Sequence, residues 1–410
     1  MSAPGLPLTI DAVREAVATL AGAIVDTPTI SATALSGRLG CEVYLKLENL
    51  QFTGSFKDRG ALVKLTTLDE AARRRGVIAM SAGNHAQGVA HHASRLGIPA
   101  TIVMPSNTPF TKVVRTEELG ATVVQQGENL DDCRDFVDEQ VATRGLTLIH
   151  PYDDPAIMAG QGTIGLEMLA AVPQLDDLIV PIGGGGLISG IAVAAKALRP
   201  EIRITGVEAA LYPSMSDAIA GVDRSYGGAT IAEGIAVKRP GMLTRKVVAA
   251  LVDEILLIEE AVLERAVQTL LTEQKLLAEG AGAAGIAALM AAPDRFAGRR
   301  VGVVICGGNI DARLLSSVLL RGLIREGRLV RLRVEIVDAP GTLAKISGLV
   351  GGRGANIVEV HHRRLFYELP VKRAEIDLIV ETRDRRHVEA VTEALTAGGF
   401  PARILSEVDG

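Results

Sequence analysis

Short apolar runs recur along this chain, each followed by a stretch with helical periodicity, and that alternation limits the fold more than any other feature. Residues 77–81 (VIAMS) lead to a helical pattern over 84–96, ATIVMP leads to 109–119, and ATVVQQG leads to a helix beginning near Leu130. The alternation resumes at DDLIVPIGGGGLISGIAVAAKAL, IRITGVE and RVGVVICGGN, with helical patterns over 261–275 and 312–325. Strand then helix, repeated, means βαβ units and a mostly parallel sheet. With 48% apolar residues, no tryptophan and only 3% aromatics, the core must be built from Val, Leu, Ile and Ala. The segment EGAGAAGIAALMAA at 279–292 is so rich in Gly and Ala that it must be a helix pressed closely against a neighbour.

A chain of 410 residues is too long for one ordinary core, so two or three units are expected. Near Gly327 the pattern changes. RLRVEIVDAP, a helix over 341–350, GANIVEVHHRR, AEIDLIVETR, a helix over 388–397 and PARILSEV read as βαββαβ, the ferredoxin-like order of a separate small domain. Between its strands, HHRRLFYELPVKRAEI with Pro370 reads as a long hairpin able to reach another subunit. The expected division is 1–326 and 329–410, with a smaller lobe over roughly 55–145 inside the first part.

Charge and cysteines narrow the function. A net charge of -5 with both signs interspersed leaves no basic stripe, which argues against nucleic acid and for small-molecule work. Cys41, Cys133 and Cys306 are odd in number and unrelated in spacing, so neither a disulfide framework nor a zinc site is implied. No metal ligand set is expected. The N-terminal stretch lacks the basic and apolar regions of a secretory signal, and no apolar run is long enough to span a bilayer, so a cytoplasmic protein with no membrane partner is expected.

Three strands run into turns rich in Gly or Asn that open helices: SAGNHAQG after residue 80, GGGGLISG after Ile182, and CGGN after Ile305. Open α/β sheets bind ligands at the carboxyl ends of their strands, and helix N-termini present N–H groups suited to anions. One glycine run alone is as well explained by a tight turn; three together point to a site, and GGGGL suits a phosphate. A dinucleotide is the first rival, with Glu208 where a ribose-binding acid could sit. The GxGxxG spacing is not met, because Ile188 or Ser189 stands where the third glycine belongs, and no GK[ST] loop exists. A fourth segment, TGSFKDRGA at 53–61, sets Lys57 between Phe56 and the Asp58/Arg59 pair as a helix begins. By itself such a lysine is most simply solvated, and Asp58 and Arg59 read as a local charge pair.

Taken in order, TGSFKDRGA, SAGNHAQG, PIGGGGLISG and CGGN resemble the pyridoxal-phosphate enzymes of the tryptophan-synthase-β fold type, most closely the threonine/serine ammonia-lyases, over nearly all of residues 5–325. The tail from about 329 resembles an ACT regulatory domain. The resemblance implies an α/β fold of two parallel-sheet lobes with pyridoxal 5'-phosphate between them, in a homodimer or homotetramer. It implies that Lys57 holds the cofactor as a Schiff base and takes the substrate α-proton, work for which a partly buried, neutral amine is suited. Phe56 and Gly54 then pack around the lysine. Gly183, Gly184, Gly185, Gly186 and Leu187 present N–H donors to the phosphate. Asn84 bonds the cofactor's 3'-oxygen, although a helix cap would explain it too, and Ser81, Ala82, Gly83, Asn84 and His85 close over the substrate carboxylate.

Cys306 would face the pyridine nitrogen, where a neutral thiol gives a weaker electron sink than a carboxylate and favours β-elimination over transamination. Gly307, Gly308 and Asn309 shape the same wall. Ala82 stands where similar racemases carry a serine acid/base, which favours a lyase. Glu279 lies near the ring in relatives, and a structural role fits it equally. Some relatives bind a cation near Glu208, but Tyr212 and Ser214 break that pattern, so none is expected. The expected reaction is L-threonine to 2-oxobutanoate and ammonia, and L-serine to pyruvate. The alternatives are another pyridoxal-phosphate β-elimination or β-replacement enzyme, a serine racemase, an NAD-binding dehydrogenase, and a non-catalytic amino-acid sensor. In the tail, Asp338, Pro340 and Gly341 form a turn able to hold an effector's carboxylate, with Asn356 expected close by; isoleucine or valine would be the allosteric ligand, in isoleucine biosynthesis. Dimerisation alone would explain that domain equally well.

Overall fold

The structure, a computed structural model, describes residues 5–129, 132–363 and 373–405. It divides into two compact units, 1–310 and 311–410. The helix Ala312–Arg325 groups with the second unit, whereas the division expected from the sequence keeps it with the first.

The first unit contains two sheets, a separation that the alternation of strands and helices does not reveal. Six strands lie in the order Thr29–Ser31, Glu42–Leu47, Arg300–Ile305, Asp177–Pro181, Arg203–Ala209 and Glu254–Ile258. Only the first pairing is antiparallel. Four parallel strands form the second sheet, in the order Thr122–Gln125, Ala100–Met104, Val77–Met80 and Thr147–Leu148. Strands such as Asp177–Pro181 are buried along their whole length because helices cover both faces. The Gly/Ala-rich segment is the helix Gly280–Ala291, and its composition has a geometric cause: a Cβ on Gly282 would lie 2.2 Å from the Gly307 carbonyl oxygen. The helix expected near Leu130 runs over Cys133–Arg144, and Leu130 itself lies outside the described residues.

Helix Lys57–Thr66 is fixed by charges rather than by an apolar stripe. Asp58 and Arg59 are not a local pair. The Asp58 carboxylate accepts from the Thr53 N–H and hydroxyl, both at 2.9 Å, with His92 Nε2 at 3.2 Å. The Arg59 guanidinium, completely buried, donates twice to Glu48, at 2.9 and 2.8 Å, to Thr163 at 2.9 Å, and to both oxygens of Glu167. Buried Lys46 also donates to Glu167, at 2.6 Å. Glu48 follows the strand Glu42–Leu47, and Glu167 lies in the helix Pro155–Ala171, so Arg59 ties Lys57's helix to both. Adjacent helical residues point in different directions, so opposite charges one apart do not face each other.

In the second unit, four antiparallel strands lie in the order Asn356–Arg363, Arg373–Glu381, Leu329–Val337 and Ala402–Ile404, as the βαββαβ pattern requires. Helices Thr342–Gly352 and Arg385–Ala397 contribute Ile346, Val350, Val388, Val391 and Leu395 to its core. Residues 364–372 of the expected hairpin are outside the described residues. One expectation fails. Val337 pairs with Arg373 and Asn356 with Glu381, eight residues away along the same strand. Asn356 therefore sits about 25 Å from the turn at 338–341 at the usual strand rise. It lies at the opposite end of the sheet because both flanking strands run antiparallel to the one between them.

Removing the Arg59 charge leaves Glu48 buried without its main partner. Arg59→Ala is expected to cost about 3–5 kcal/mol of stability, measured as a drop in the denaturation midpoint. A loss below about 1 kcal/mol would show that Lys46 suffices to hold the cluster.

Candidate active site

The segment leading to Lys57 is held against the strand end at Ile305. The Phe56 N–H donates to the Cys306 carbonyl at 3.0 Å, the Gly308 N–H donates to the Gly54 carbonyl at 2.9 Å, and Ser55 bridges Gly307. Lys57 is the first residue of its helix. Its Nζ donates to the Pro151 carbonyl at 2.6 Å and lies 5.1 Å from the centre of the Phe56 ring. Burial pulls the amine down to about 8, against the opposing pull of Cys306 and Glu279. A substantial neutral fraction is therefore present near physiological pH.

Three of the residues singled out in the sequence, Asn84, Glu279 and Asn309, form one hydrogen-bonded chain. The Asn84 side chain donates to Glu279 at 2.6 Å and accepts from the Asn309 amide at 2.7 Å; Asn309 also donates to the Thr53 carbonyl at 2.7 Å. Asn84 is thus not a cap: Gly83 occupies that position of helix Asn84–Arg95, and the Asn84 side chain points across to Glu279. Burial raises the Glu279 carboxyl to about 7 despite its bond from Asn84. Gly307 lies so near that a Cβ there would sit 2.4 Å from Glu279 Oε1. The Cys306 thiol is buried and pushed well above the ordinary range by desolvation, with Glu279 adding to the shift, so it stays neutral.

His85 is buried, and desolvation lowers it to about 3, with Lys57 adding to the effect. Its Nε2 lies 2.8 Å from the Ile149 carbonyl, which can only accept, so the neutral ring carries its proton there. The Ser81 hydroxyl accepts from the Gly83 N–H at 3.2 Å, and Ala82 packs against the small-lobe core.

The glycine run turns from strand Asp177–Pro181 into helix Gly186–Leu198. Gly185 has φ +93°, a conformation few other residues adopt. The first backbone bond of this helix is donated by Ser189 to the Gly185 carbonyl, so the N–H groups of Gly186 and Leu187 precede the ladder. The residues that position the run were not legible as site residues. A Cβ on Gly184 would meet the Tyr152 ring at 2.2 Å. Tyr152 follows Pro151, whose carbonyl holds Lys57, and its hydroxyl donates to the Arg239 carbonyl at 2.8 Å. Asp153 accepts N–H groups from Met242, Leu243 and Thr244 and so caps helix Met242–Leu251. Thr244 in turn donates its hydroxyl to the Gly184 carbonyl at 2.6 Å. Residues 150–154 therefore link the lysine to the glycine run. The D-D-P sequence at 153–155 is a local helix-start signal, but it carries no trace of the helix about ninety residues on that Asp153 caps. Glu208, weighed as a ribose-binding acid, is occupied in accepting from Met215 N, Ser216 N and the Ser216 hydroxyl.

An amine of lowered pKa, N–H groups at a helix start walled by side chains that leave no room for a Cβ, and a neutral thiol fit pyridoxal phosphate. The fold and the site together define a pyridoxal-phosphate-dependent enzyme. The family model described as "Pyridoxal-phosphate dependent enzyme" matches residues 20–307, and an ACT domain model matches 330–397. An L-threonine ammonia-lyase of Thermotoga maritima is 43% identical over 97% of this chain and 100% of that protein. The processed threonine deaminase isoform 2 of Solanum lycopersicum superposes with TM-score 0.72 at 33% identity, covering 76% of this chain and 88% of that one. Maize serine racemase superposes with TM-score 0.71 at 34% identity, covering 78% and 98%. The chain belongs to the threonine ammonia-lyase family of pyridoxal-phosphate-dependent enzymes and carries an ACT domain.

In cofactor-free protein the amine of Lys57 is expected to become reactive toward an acylating reagent with a midpoint near pH 8, because its lowered pKa populates the neutral form early. Exposed lysines should follow about two units higher. Peptide mapping across a pH series reads this, and a Lys57 curve coincident with the others would contradict it.

Proposed function

We propose that this enzyme converts L-threonine to 2-oxobutanoate and ammonia, and L-serine to pyruvate and ammonia. The observation that carries the reading is a lysine amine of lowered pKa sharing a cleft with the glycine-run N–H groups and a neutral thiol. When bound, pyridoxal phosphate supplies the electron sink that makes the substrate's α-C–H bond acidic. Lys57 would hold the cofactor and then serve as the base for the α-proton, its desolvated amine having a substantial neutral fraction near physiological pH. The N–H groups of Gly183 to Leu187 would hold the phosphate, and Asn84, fixed between Glu279 and Asn309, would orient the ring edge. Residues 81–85 would receive the substrate carboxylate. Loss of the β-hydroxyl as water is followed by hydrolysis of the released enamine, so the water lost is regained and ammonia leaves.

Cys306, neutral and buried, would meet the ring nitrogen without holding a proton on it as a carboxylate would. The likeness to a serine racemase makes racemisation the second reading. Ala82 has no proton to exchange, which supports elimination. An intact lysine and glycine run count against a purely sensing role.

For the C-terminal unit, the turn at Asp338, Pro340 and Gly341, where Gly341 has φ +83° and opens helix Thr342–Gly352, is our candidate effector site. The ACT domain itself supports an amino-acid effector. A homodimer or homotetramer and a cytoplasmic setting complete the reading. The setting is supported by three free, buried cysteines; no described helix is long and apolar enough to cross a membrane.

Lys57→Ala is expected to lower ketoacid formation from L-threonine by at least about 10²–10⁴-fold, the share of a positioned base, with the fold unchanged by circular dichroism. Ketoacid formation near the wild-type rate would contradict the assignment. Cys306→Ser should retain activity, and Cys306→Asp should lose about tenfold or more, one 1.4 kcal/mol step; equal rates in all three would make Cys306 a core residue only. Chiral chromatography should show D-serine forming far more slowly than pyruvate, and equal rates would favour the racemase.

A further inference from the structure

Behind the glycine run lies a cavity of about 450 Å³, shared by none of the candidate residues around Lys57. Its walls come from helix Ser214–Ala220, the loop that follows it and the start of helix Met242–Leu251. Arg224, Lys238, Arg239 and Arg245 line it against a single carboxylate, that of Asp223. Arg224 is already matched, since Asp217 takes its guanidinium through both oxygens. The side chains of Lys238, Arg239 and Arg245 have no hydrogen-bond or ion-pair partner among the described residues. A further wall residue, Ser214, is 2% exposed, and its hydroxyl has no partner. Buried hydroxyls are ordinarily satisfied, but this one has less than 1 Å² of accessible surface, so it sits behind the wall and supplies no contact to a guest.

We infer that this cavity binds a multiply charged anion, either a phosphate-bearing or a polycarboxylate small molecule. Lys238, Arg239 and Arg245, all exposed, face one carboxylate, so a singly charged guest would leave the cations incompletely neutralised, and the two guanidinium groups present planar forks suited to phosphate or carboxylate oxygens. The volume falls within the usual range for small-molecule sites and exceeds what a bare inorganic ion needs. The wall is also connected to the cofactor region. The Arg239 carbonyl takes the Tyr152 hydroxyl, the Gly241 N–H donates to the Gly184 carbonyl at 3.2 Å, and Thr244 donates to the same oxygen. An anion that draws Arg239 and Arg245 together thus bears on the backbone clamping Gly184. Its binding is coupled to cofactor retention, and the coupling is reciprocal.

The test titrates the holoenzyme by calorimetry at fixed ionic strength with pyrophosphate and, separately, with citrate. Holoenzyme is used so that the glycine run is occupied by its own phosphate. One anion is expected to bind with Kd below about 1 mM, and the Arg239→Gln/Arg245→Gln variant should weaken it at least tenfold. Ser214→Ala, which leaves every charge and every accessible donor in place, should bind the anion as the wild type does. Saturating anion should also change the rate of cofactor release, followed by absorbance, in wild type and not in the double variant. Pyrophosphate binding supports a phosphate-bearing ligand, and binding of citrate alone supports a polycarboxylate. No heat with either anion, or equal binding to the double variant, would overturn the inference, whatever substrate the enzyme turns over.

Discussion

A single buried guanidinium sets the position of everything else in the cleft. Arg59 is completely buried two residues after Lys57, and a charge so placed is tolerated only when paired and fully hydrogen-bonded. Its partners, Glu48 and Glu167, come from a strand end and from a long helix. Such a cluster is weak evidence for net stability, since matched apolar packing can equal it. Its use here is geometric, because the helix can take only one rotation about its axis if Arg59 is to meet both carboxylates. That rotation puts the Lys57 amine on the Pro151 carbonyl.

From there, two chains of contact complete the site. Residues 150–154 connect the amine to the glycine run through Tyr152 and through the Asp153 cap on helix Met242–Leu251. The Asn84, Glu279 and Asn309 side chains join the two sheets' lobes across the cleft. The electrostatics follow from enclosure: desolvation lowers Lys57 and His85 and raises Glu279 and Cys306, each in the direction of its neutral form. For Lys57 the shift leaves a substantial fraction of the amine unprotonated near physiological pH.

The parts of this arrangement that the sequence reveals are those encoded locally. Lys57 opening a helix, glycines at a strand end and a Gly/Ala-rich helix are patterns within about a dozen residues, and each stands where its pattern implies. The division into two sheets was less visible, because consecutive βαβ units read alike whichever sheet receives them. Asp58 and Arg59 were misread for the same reason: adjacency in sequence suggested a pair, while their partners lie up to 108 positions away. The capping by Asp153 of a helix 89 residues on, and the contact of Glu279 with Asn84 across 195, leave no local trace. In the C-terminal unit the strand order follows from the pattern, yet Asn356 falls at the far end of the sheet because register decides which turns are neighbours.

The central claim is that Lys57, set by Arg59, is the group that carries the cofactor. Borohydride reduction of the purified, cofactor-loaded enzyme, followed by proteolysis and mass spectrometry, tests it most directly. The account predicts one modified peptide, containing residues 53–61 with the added mass on Lys57, and loss of the visible absorbance in step with its formation. Fixation on any other lysine, or bleaching without a modified lysine, would contradict it.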